Sequence, residues 1–158
     1  MEFWIRKATL RDMNAVVENW IALMETHYSY SLDIYRVKRN YVAIYKRFLK
    51  KQIASEKSAV FVAEAKGGIV GHAMVEKKKL PKVYLTDKEA YVGELFVRKP
   101  FRGNRIGTAL LEQAEKWAKE NKLSQFSLTS DVRNRRALRT YRKFGLIAHQ
   151  FKLTKKLR

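Results

Sequence analysis

Residues 98–120 read RKPFRGNRIGTALLEQAEKWAKE, a tight basic loop that runs straight into an amphipathic helix. Ala109, Leu110, Gln113, Ala114, Trp117 and Ala118 fall on one helical face, the spacing of a helix laid on a core. A helix N-terminus leaves N–H groups unpaired and carries a partial positive charge. Gly103 and Gly107 let an anion come close to that backbone, and Arg102 and Arg105 add full charges. The run Arg102-Gly103-Asn104-Arg105-Ile106-Gly107-Thr108 therefore suits a pyrophosphate. It is not a Walker loop, because no G-K-[ST] is present, and not a dinucleotide fingerprint, because G-x-G-x-x-G is missing. For the loop alone, a helix cap with basic residues facing solvent is the plainer alternative.

Outward from this stretch the chain alternates strands and helices. AYVGELFVRK (90–99) reads as the strand before the loop and QFSLTSD (125–131) as the strand after its helix. Upstream, FWIRKA (3–8) alternates like a half-buried strand, and Thr9 with Asp12 forms a variant capping box. Met13, Val16, Val17, Trp20, Ile21 and Met24 continue at helical spacing until THYSYSLD (26–33) breaks it. A second helix carries Tyr41, Val42, Tyr45, Phe48, Leu49 and Ile53. SAVFVAEA (58–65) and IVGHAMVEK (69–77) are apolar strands joined at Gly67-Gly68, a two-residue hairpin turn. KKLPKVYLTDKE (78–89) reads as a loop. NRRALRTYRKF (134–144) is a helix stopped by Gly145, and 146–157 closes the chain as one or two strands. The expected order is β-α-α-β-β-β-α-β-α-β, an α/β fold with a mixed central sheet flanked by helices.

A length of 158 residues with 46% hydrophobic content suits a single domain, 1–158, with a real core. The chain has no cysteine, which excludes disulfides, thiolate metal sites and a cysteinyl acyl-enzyme. No metal is expected. The N-terminus lacks a signal peptide's apolar run, and no stretch approaches the roughly 20 apolar residues that span a bilayer. A cytoplasmic protein with no membrane partner is expected. The formal net charge of +19 attracts polyanions, so electrostatic association with nucleic acid or the ribosome is a further expectation. The bland reading is a solubilising lysine-rich surface.

A second motif completes the first. In NRRALRTYRKFGL (134–146), Asn134, Ala137, Tyr141, Lys143 and Gly145 spell N-x-x-A-x-x-x-Y-x-K-x-G, about 30 residues after the basic loop. With Arg102-Gly103-Asn104-Arg105-Ile106-Gly107 matching R/Q-x-x-G-x-G/A, the chain resembles the GNAT superfamily of N-acetyltransferases, which use acetyl-CoA. Two departures stand out: Arg105 occupies a position where the family usually has glycine, and Leu146 follows Gly145 where the family pattern continues with Phe.

The resemblance implies that acetyl-CoA is the co-substrate and lies between the strands at 90–99 and 125–131. Backbone groups of Phe96 and Val97 would pair with the pantetheine arm, N–H groups from Arg102 to Thr108 would hold the pyrophosphate, and Asn134 would touch the pantetheine. The arginine-rich helix from 133 would draw the 3′-phosphate. Arg105 then adds a phosphate contact.

Acyl transfer from a thioester needs a neutral amine, and an ammonium of pKa near 10 leaves about one part in a thousand neutral at pH 7. A base is therefore useful, and direct attack through a tetrahedral intermediate is expected. Glu94, in the apolar run AYVGELFV, is the candidate base, and His72 is its rival. A salt-bridged Glu94 at a sheet edge is the structural alternative. By resemblance, Tyr141 is the general acid facing the coenzyme sulfur. The N–H of Val97 is the candidate oxyanion donor.

The acceptor is the least legible part. By resemblance, the segment between the first two helices, with Tyr28 and Tyr30, and the loops near 78–90 wall the acceptor groove. Asp33, Asp87, Glu89 and Asp131 are the acids available to a cationic amine. The positive surface disfavours polycationic acceptors and favours a protein or peptide amine. A small-molecule amine acetyltransferase is the alternative, as is a basic nucleic-acid-binding module with CoA as a sensing ligand. A homodimer is compatible with the sequence.

Overall fold

The computed structural model describes residues 1–157, the side chains of Leu32 and Asp33 excepted. The expected role of Asp33 therefore lies outside the described residues. Five strands form one sheet in the order β1 (Phe3–Lys7), β2 (Ser58–Ala65), β3 (Gly68–Lys79), β4 (Lys88–Val97) and β5 (Phe126–Leu128). The first four pair antiparallel, and β5 lies parallel to β4 after a crossover through helix α4 (Ile106–Glu120). Helices α1 (Met13–Tyr28), α2 (Leu32–Tyr35) and α3 (Tyr41–Ala54) link β1 to β2, and α5 (Arg135–Lys143) follows β5.

Strand periodicity divides the core between the two faces. In β2, Ala59, Phe61, Ala63 and Ala65 point to the face covered by α4, where Ile106, Leu110, Ala114, Trp117 and Ala118 pack. The alternate residues Val60 and Val62 point to the other face, against Val16 and Val17 of α1 and Tyr45 and Leu49 of α3. Because both faces are covered, β2 reads as a continuous apolar run with little alternation. Gly67 and Gly68 turn the β2–β3 hairpin at φ +102° and +115°, a region that side chains rarely enter.

The entry to α1 is fastened by Asp12. Its carboxylate accepts from the Thr9 N–H (2.7 Å) and hydroxyl (3.0 Å) and from both terminal nitrogens of Arg6 (2.8 Å each). The Arg6 hydrogen bonds, ahead of any other influence, pull the Asp12 pKa from 3.8 down to about 2. A carboxylate depressed in the folded state stabilises the protein above its unfolded pKa, and that contribution fades as pH falls from 3.8 toward 2. Asp12→Asn is expected to cost about 2 kcal/mol at neutral pH and almost nothing near pH 2. Thermal melts of both proteins across that range check it.

Several boundaries differ from the expectation, each for a physical reason. The helix α1 runs on through Tyr28, and the short α2 fills part of the expected break. Lys78 and Lys79 stay in β3, and Lys88 and Glu89 join β4, because the hairpin ladder supplies their backbone partners; only 80–87 is left as the connection. β5 is three residues long rather than seven, because it leaves β4 after Leu128. The closing strands expected over 146–157 do not form. That stretch alternates like a strand, yet no strand pairs with it, and Phe151, Leu153 and Leu157 are exposed.

Candidate active site

The crossover brings the C-terminal end of β4 and the N-terminal end of α4 together. β4 and β5 pair only over Ala90–Val92 and Phe126–Leu128, and beyond that the two chains part. A bulge sits at the parting: Met74 pairs with Glu94 and Val75 with Val92, so Gly93 is left over on β4. The backbone of β4 from Gly93 to Val97 therefore has an unpaired side, open to a ligand that lies alongside as a strand would.

Orientation along this edge follows from two contacts. The Arg98 N–H donates to Val70 O (2.8 Å) in β3, and a Cβ on Gly71 would lie 2.7 Å from Phe96 O. Arg98 and Phe96 thus face β3, and by alternation Leu95 and Val97 face the open side. Of the two residues expected to pair with the pantetheine arm, Val97 presents its backbone to the opening, whereas Phe96 turns its carbonyl to Gly71. Leu95 is the other residue here whose backbone faces the opening.

The basic loop is tied to this edge. Arg102 Nε donates to Val97 O (2.7 Å), and its guanidinium sits 5.6 Å from the centre of the Phe96 ring. Asn104 Nδ2 donates to Phe101 O (3.2 Å), which holds the turn together. Gly103 has φ +89°, and Arg105, the N-cap of α4, has φ +62°. Holding an arginine in that left-handed region costs of order 1 kcal/mol. The first i→i−4 bond of α4 is from Ala109 N–H to Arg105 O (2.9 Å), which leaves the N–H groups of Ile106, Gly107 and Thr108 ahead of the ladder. The Ile106 side chain is buried, so only its backbone can reach a ligand. Burial lowers the Arg102 pKa, and the nearby charge of Arg136 lowers it further. Two guanidinium groups held close enough to repel, beside three free N–H groups, make a place for a multivalent anion.

On the face of the sheet toward α1 and α3, Glu94 shares a cross-strand pair with Met74. Its Oε2 accepts from the Tyr45 hydroxyl (2.7 Å) and meets His72 Nε2 at 3.1 Å. The two rival bases are therefore partners in one network. Among the described residues, Oε1 has no protein partner. The Glu94 side chain is 12% exposed and His72 is fully buried. Tyr45 is stacked on Trp20 at 4.1 Å, which fixes the direction of its hydroxyl. Burial first, and then the Glu94 charge, raises the Tyr45 pKa, so it stays a donor.

The other wall comes from β5, α5 and the end of α1. Asn134 caps α5, its Oδ1 accepting from Ala137 N–H (3.2 Å), which leaves its Nδ2 available. Tyr141 is half-buried, and burial raises its pKa to about 12. Among the described residues its hydroxyl has no hydrogen-bond partner. Asp131 accepts from Arg133 Nε (2.8 Å), and Arg133 also donates to Tyr30 O and lies over the Tyr30 ring. This latch ties the turn after α1 to the β5–α5 loop. The His27 ring lies 4.8 Å from that of Tyr35, tilted by 31°. Burial lowers the His27 pKa, and the charges of Asp131 and Glu94 act against that shift. Both carboxylates are thus near enough to the end of α1 for their charges to act on His27. Tyr28 is half-buried with no hydrogen-bond or ring partner among the described residues. The 80–87 connection is not part of this wall. It lies at the start of β4, about 30 Å along the strand from Val97. Asp87 and Glu89 are correspondingly remote, and Glu89 approaches Lys78 at 3.8 Å.

Among the described residues no three His, Cys, Asp or Glu side chains gather as a metal site requires, and no helix is long and apolar enough to cross a membrane. The parallel strand pair thus splits beside a basic loop and helix, with a carboxylate on one side and a free phenol on the other. The model of the acetyltransferase (GNAT) family matches residues 20–146, and the chain belongs to that family, in the class of acetyl-CoA-dependent N-acetyltransferases. An N-alpha-acetyltransferase from Sulfurisphaera tokodaii is 30% identical over 153 residues, covering 91% of this chain and 80% of the relative. An uncharacterised N-acetyltransferase from Methanocaldococcus jannaschii is 27% identical over 90% of this chain, which spans only 60% of that relative's length. The solved structure of a predicted acetyltransferase with acetyl-CoA from Clostridium acetobutylicum superposes with a TM-score of 0.75 at 20% identity, covering 98% of this chain and 96% of that one.

Proposed function

We propose that the protein transfers acetyl from acetyl-CoA to a protein or peptide amine by direct attack. The observation that carries this reading is the split of β4 from β5, with the free Oε1 of Glu94 on one side and the free Tyr141 hydroxyl on the helix after the other. The pyrophosphate lies against the N–H groups of Ile106, Gly107 and Thr108, with Arg102, Arg105 and Arg136 around it. Gly103 and Asn104 shape that turn. The pantetheine arm runs along the open side of Leu95 and Val97, and Asn134 Nδ2 donates to it.

In the reaction the amine nitrogen forms a bond to the thioester carbonyl carbon, and the C–S bond breaks. Glu94 takes the proton that the ammonium must lose before attack, Tyr141 donates to the departing sulfur, and the second proton that the nitrogen sheds as the amide forms restores the Tyr141 hydroxyl. The N–H groups of Leu95 and Val97 face the carbonyl oxygen where negative charge develops. Tyr28, Tyr30 and Tyr35 wall the acceptor groove. The kinship with an N-alpha-acetyltransferase supports a polypeptide acceptor. The formal charge of +19 suits an acceptor presented on a polyanionic assembly such as a ribosome.

Thiol release from acetyl-CoA, measured against peptides with free N-termini, lysine peptides blocked at the N-terminus, and small primary amines, tests this reading. A kcat/KM for at least one peptide class well above that for any small amine is expected. The opposite ranking makes the protein a small-molecule acetyltransferase. Salt-sensitive nucleic-acid binding with saturable CoA binding and no transfer to any amine makes it a sensor.

A further inference from the structure

The last 27 residues, 132–158, contain six Arg, four Lys and no Asp or Glu, more than half of the formal charge of +19. Their placement is ordered where α5 presents them. Arg135, Arg139 and Arg142 follow one another at i, i+4 and i+7 on the exposed side, flanked by the exposed Arg136 and Lys143. The opposite side, Ala137, Leu138, Tyr141 and Phe144, is half-buried, and Phe144 meets Phe126 of β5 at 6.1 Å between ring centres. Among the described residues none of these five cations forms an ion pair. Other surface cations do, such as Lys119 with Glu115 and Arg98 with Glu18. Like charges at i and i+4, as in Arg135 with Arg139 and Arg139 with Lys143, repel and weaken a nine-residue helix. A bound polyanion turns that repulsion into attraction.

On the proposed reading the first turn of α5 is taken up by the phosphates of the coenzyme, since Arg136 acts on Arg102 of the basic loop. Arg139, Arg142 and Lys143 lie one to two turns further on, roughly 7–13 Å from Asn134 along the helix axis. They need a different anion. The exposed face has no apolar side chain to enter a bilayer or to anchor a protein interface. It offers regularly spaced guanidinium and ammonium groups and nothing else. We infer that the outer stripe of α5, Arg139, Arg142 and Lys143, seats the phosphate backbone of a nucleic acid without reading its bases. The chain after α5 adds Lys152 and Lys155, both exposed, to the same charge field. The inference goes beyond acetyl transfer: it concerns where the enzyme docks, and it stands whichever amine is the acceptor.

The test uses the full chain, a labelled DNA duplex of about 20 base pairs, and the triple variant Arg139→Gln, Arg142→Gln and Lys143→Gln. Glutamine keeps helix propensity close to that of Arg and Lys at exposed positions, so the variant retains the fold. Anisotropy titrations between roughly 50 and 200 mM salt give the slope of log K against log salt, about 0.9 per phosphate contact. The variant is expected to lose about 2–3 units of slope and at least about tenfold in affinity near physiological salt, with acetyl-CoA affinity unchanged. A variant that binds the duplex within about twofold of the parent, with a slope change below one unit, overturns the inference. So does a parent that fails to bind the duplex, or a variant that loses binding to phosphatidylserine vesicles and keeps its binding to the duplex. Loss of acetyl-CoA affinity in the variant assigns the stripe to the coenzyme and equally refutes it.

Discussion

Replacing Tyr141 by Phe is expected to lower kcat for acetyl transfer by about 10²-fold, with acetyl-CoA affinity little changed. The substitution removes one hydroxyl and keeps the ring that packs beneath α5. General acids contribute about 10²–10⁴-fold, and the lower end applies here. A thiol with a pKa near 8.5 is a tolerable leaving group, so the proton it receives matters less than it would for an alkoxide or an amine. The Tyr141 pKa, raised to about 12 by burial, keeps the donor loaded at every pH where the protein is folded and active. Near neutrality the pH profiles of parent and variant should therefore run parallel, offset by the full effect. The offset should also shrink when an acetyl thioester of a more acidic thiol replaces acetyl-CoA. A fall of less than about twofold with acetyl-CoA removes Tyr141 from the proton path.

The parts of this site that could be read in the chain are those with local signatures. The loop 102–108 and the helix after it are one continuous message, a glycine-bearing basic turn followed by apolar residues at helical spacing, and the fold follows that message closely. Asn134 and Tyr141 stand seven residues apart, the cap and the second turn of one short helix, so they too belong to a single local pattern. What escaped depends on pairing between strands. Glu94 and His72 look like competitors in one dimension because nothing local says that β3 and β4 place them on the same face. The bulge at Gly93 sets that register, and a glycine in an apolar run does not reveal which residue it displaces. The same register decides that Leu95, and not Phe96, turns its backbone to the open side of the sheet. Tyr45 was hidden for a different reason. It stands with Val42 and Leu49 at helical spacing, and its ring is indeed core, stacked on Trp20, so its periodicity is that of any core aromatic. Only its hydroxyl belongs to the site. Residues 146–157 fail in the opposite sense: alternation is present, but a strand exists only when another edge accepts its hydrogen bonds.

Glu94→Gln should have the larger effect, and its size should depend on the acceptor. A glutamine oxygen can still accept from the Tyr45 hydroxyl and from His72 Nε2, so the network survives and only the proton acceptor is lost. The variant must then rely on amine that arrives already neutral. For a lysine-type ammonium of pKa about 10.4, the neutral fraction at pH 7 is roughly one in 2,500, whereas for an α-ammonium of pKa about 7.7–8.0 it is about one in ten. A base worth 10²–10⁴-fold should thus show nearly its full value with lysine peptides and a value near the lower end with free N-termini. Below the pKa of the acceptor, the variant's rate should fall about tenfold per pH unit. The parent should hold its rate further down, because the Glu94 carboxylate takes the proton from the bound ammonium. The ratio of parent to variant therefore widens as pH decreases from the pKa of the acceptor toward neutrality. Tyr45→Phe, which leaves the carboxylate in place and removes one of its two donors, should cost far less than Glu94→Gln. If the two substitutions cost the same, and the profile of Glu94→Gln parallels the parent, the carboxylate is only a fastening between α3 and the sheet. The proton then leaves the amine by another route.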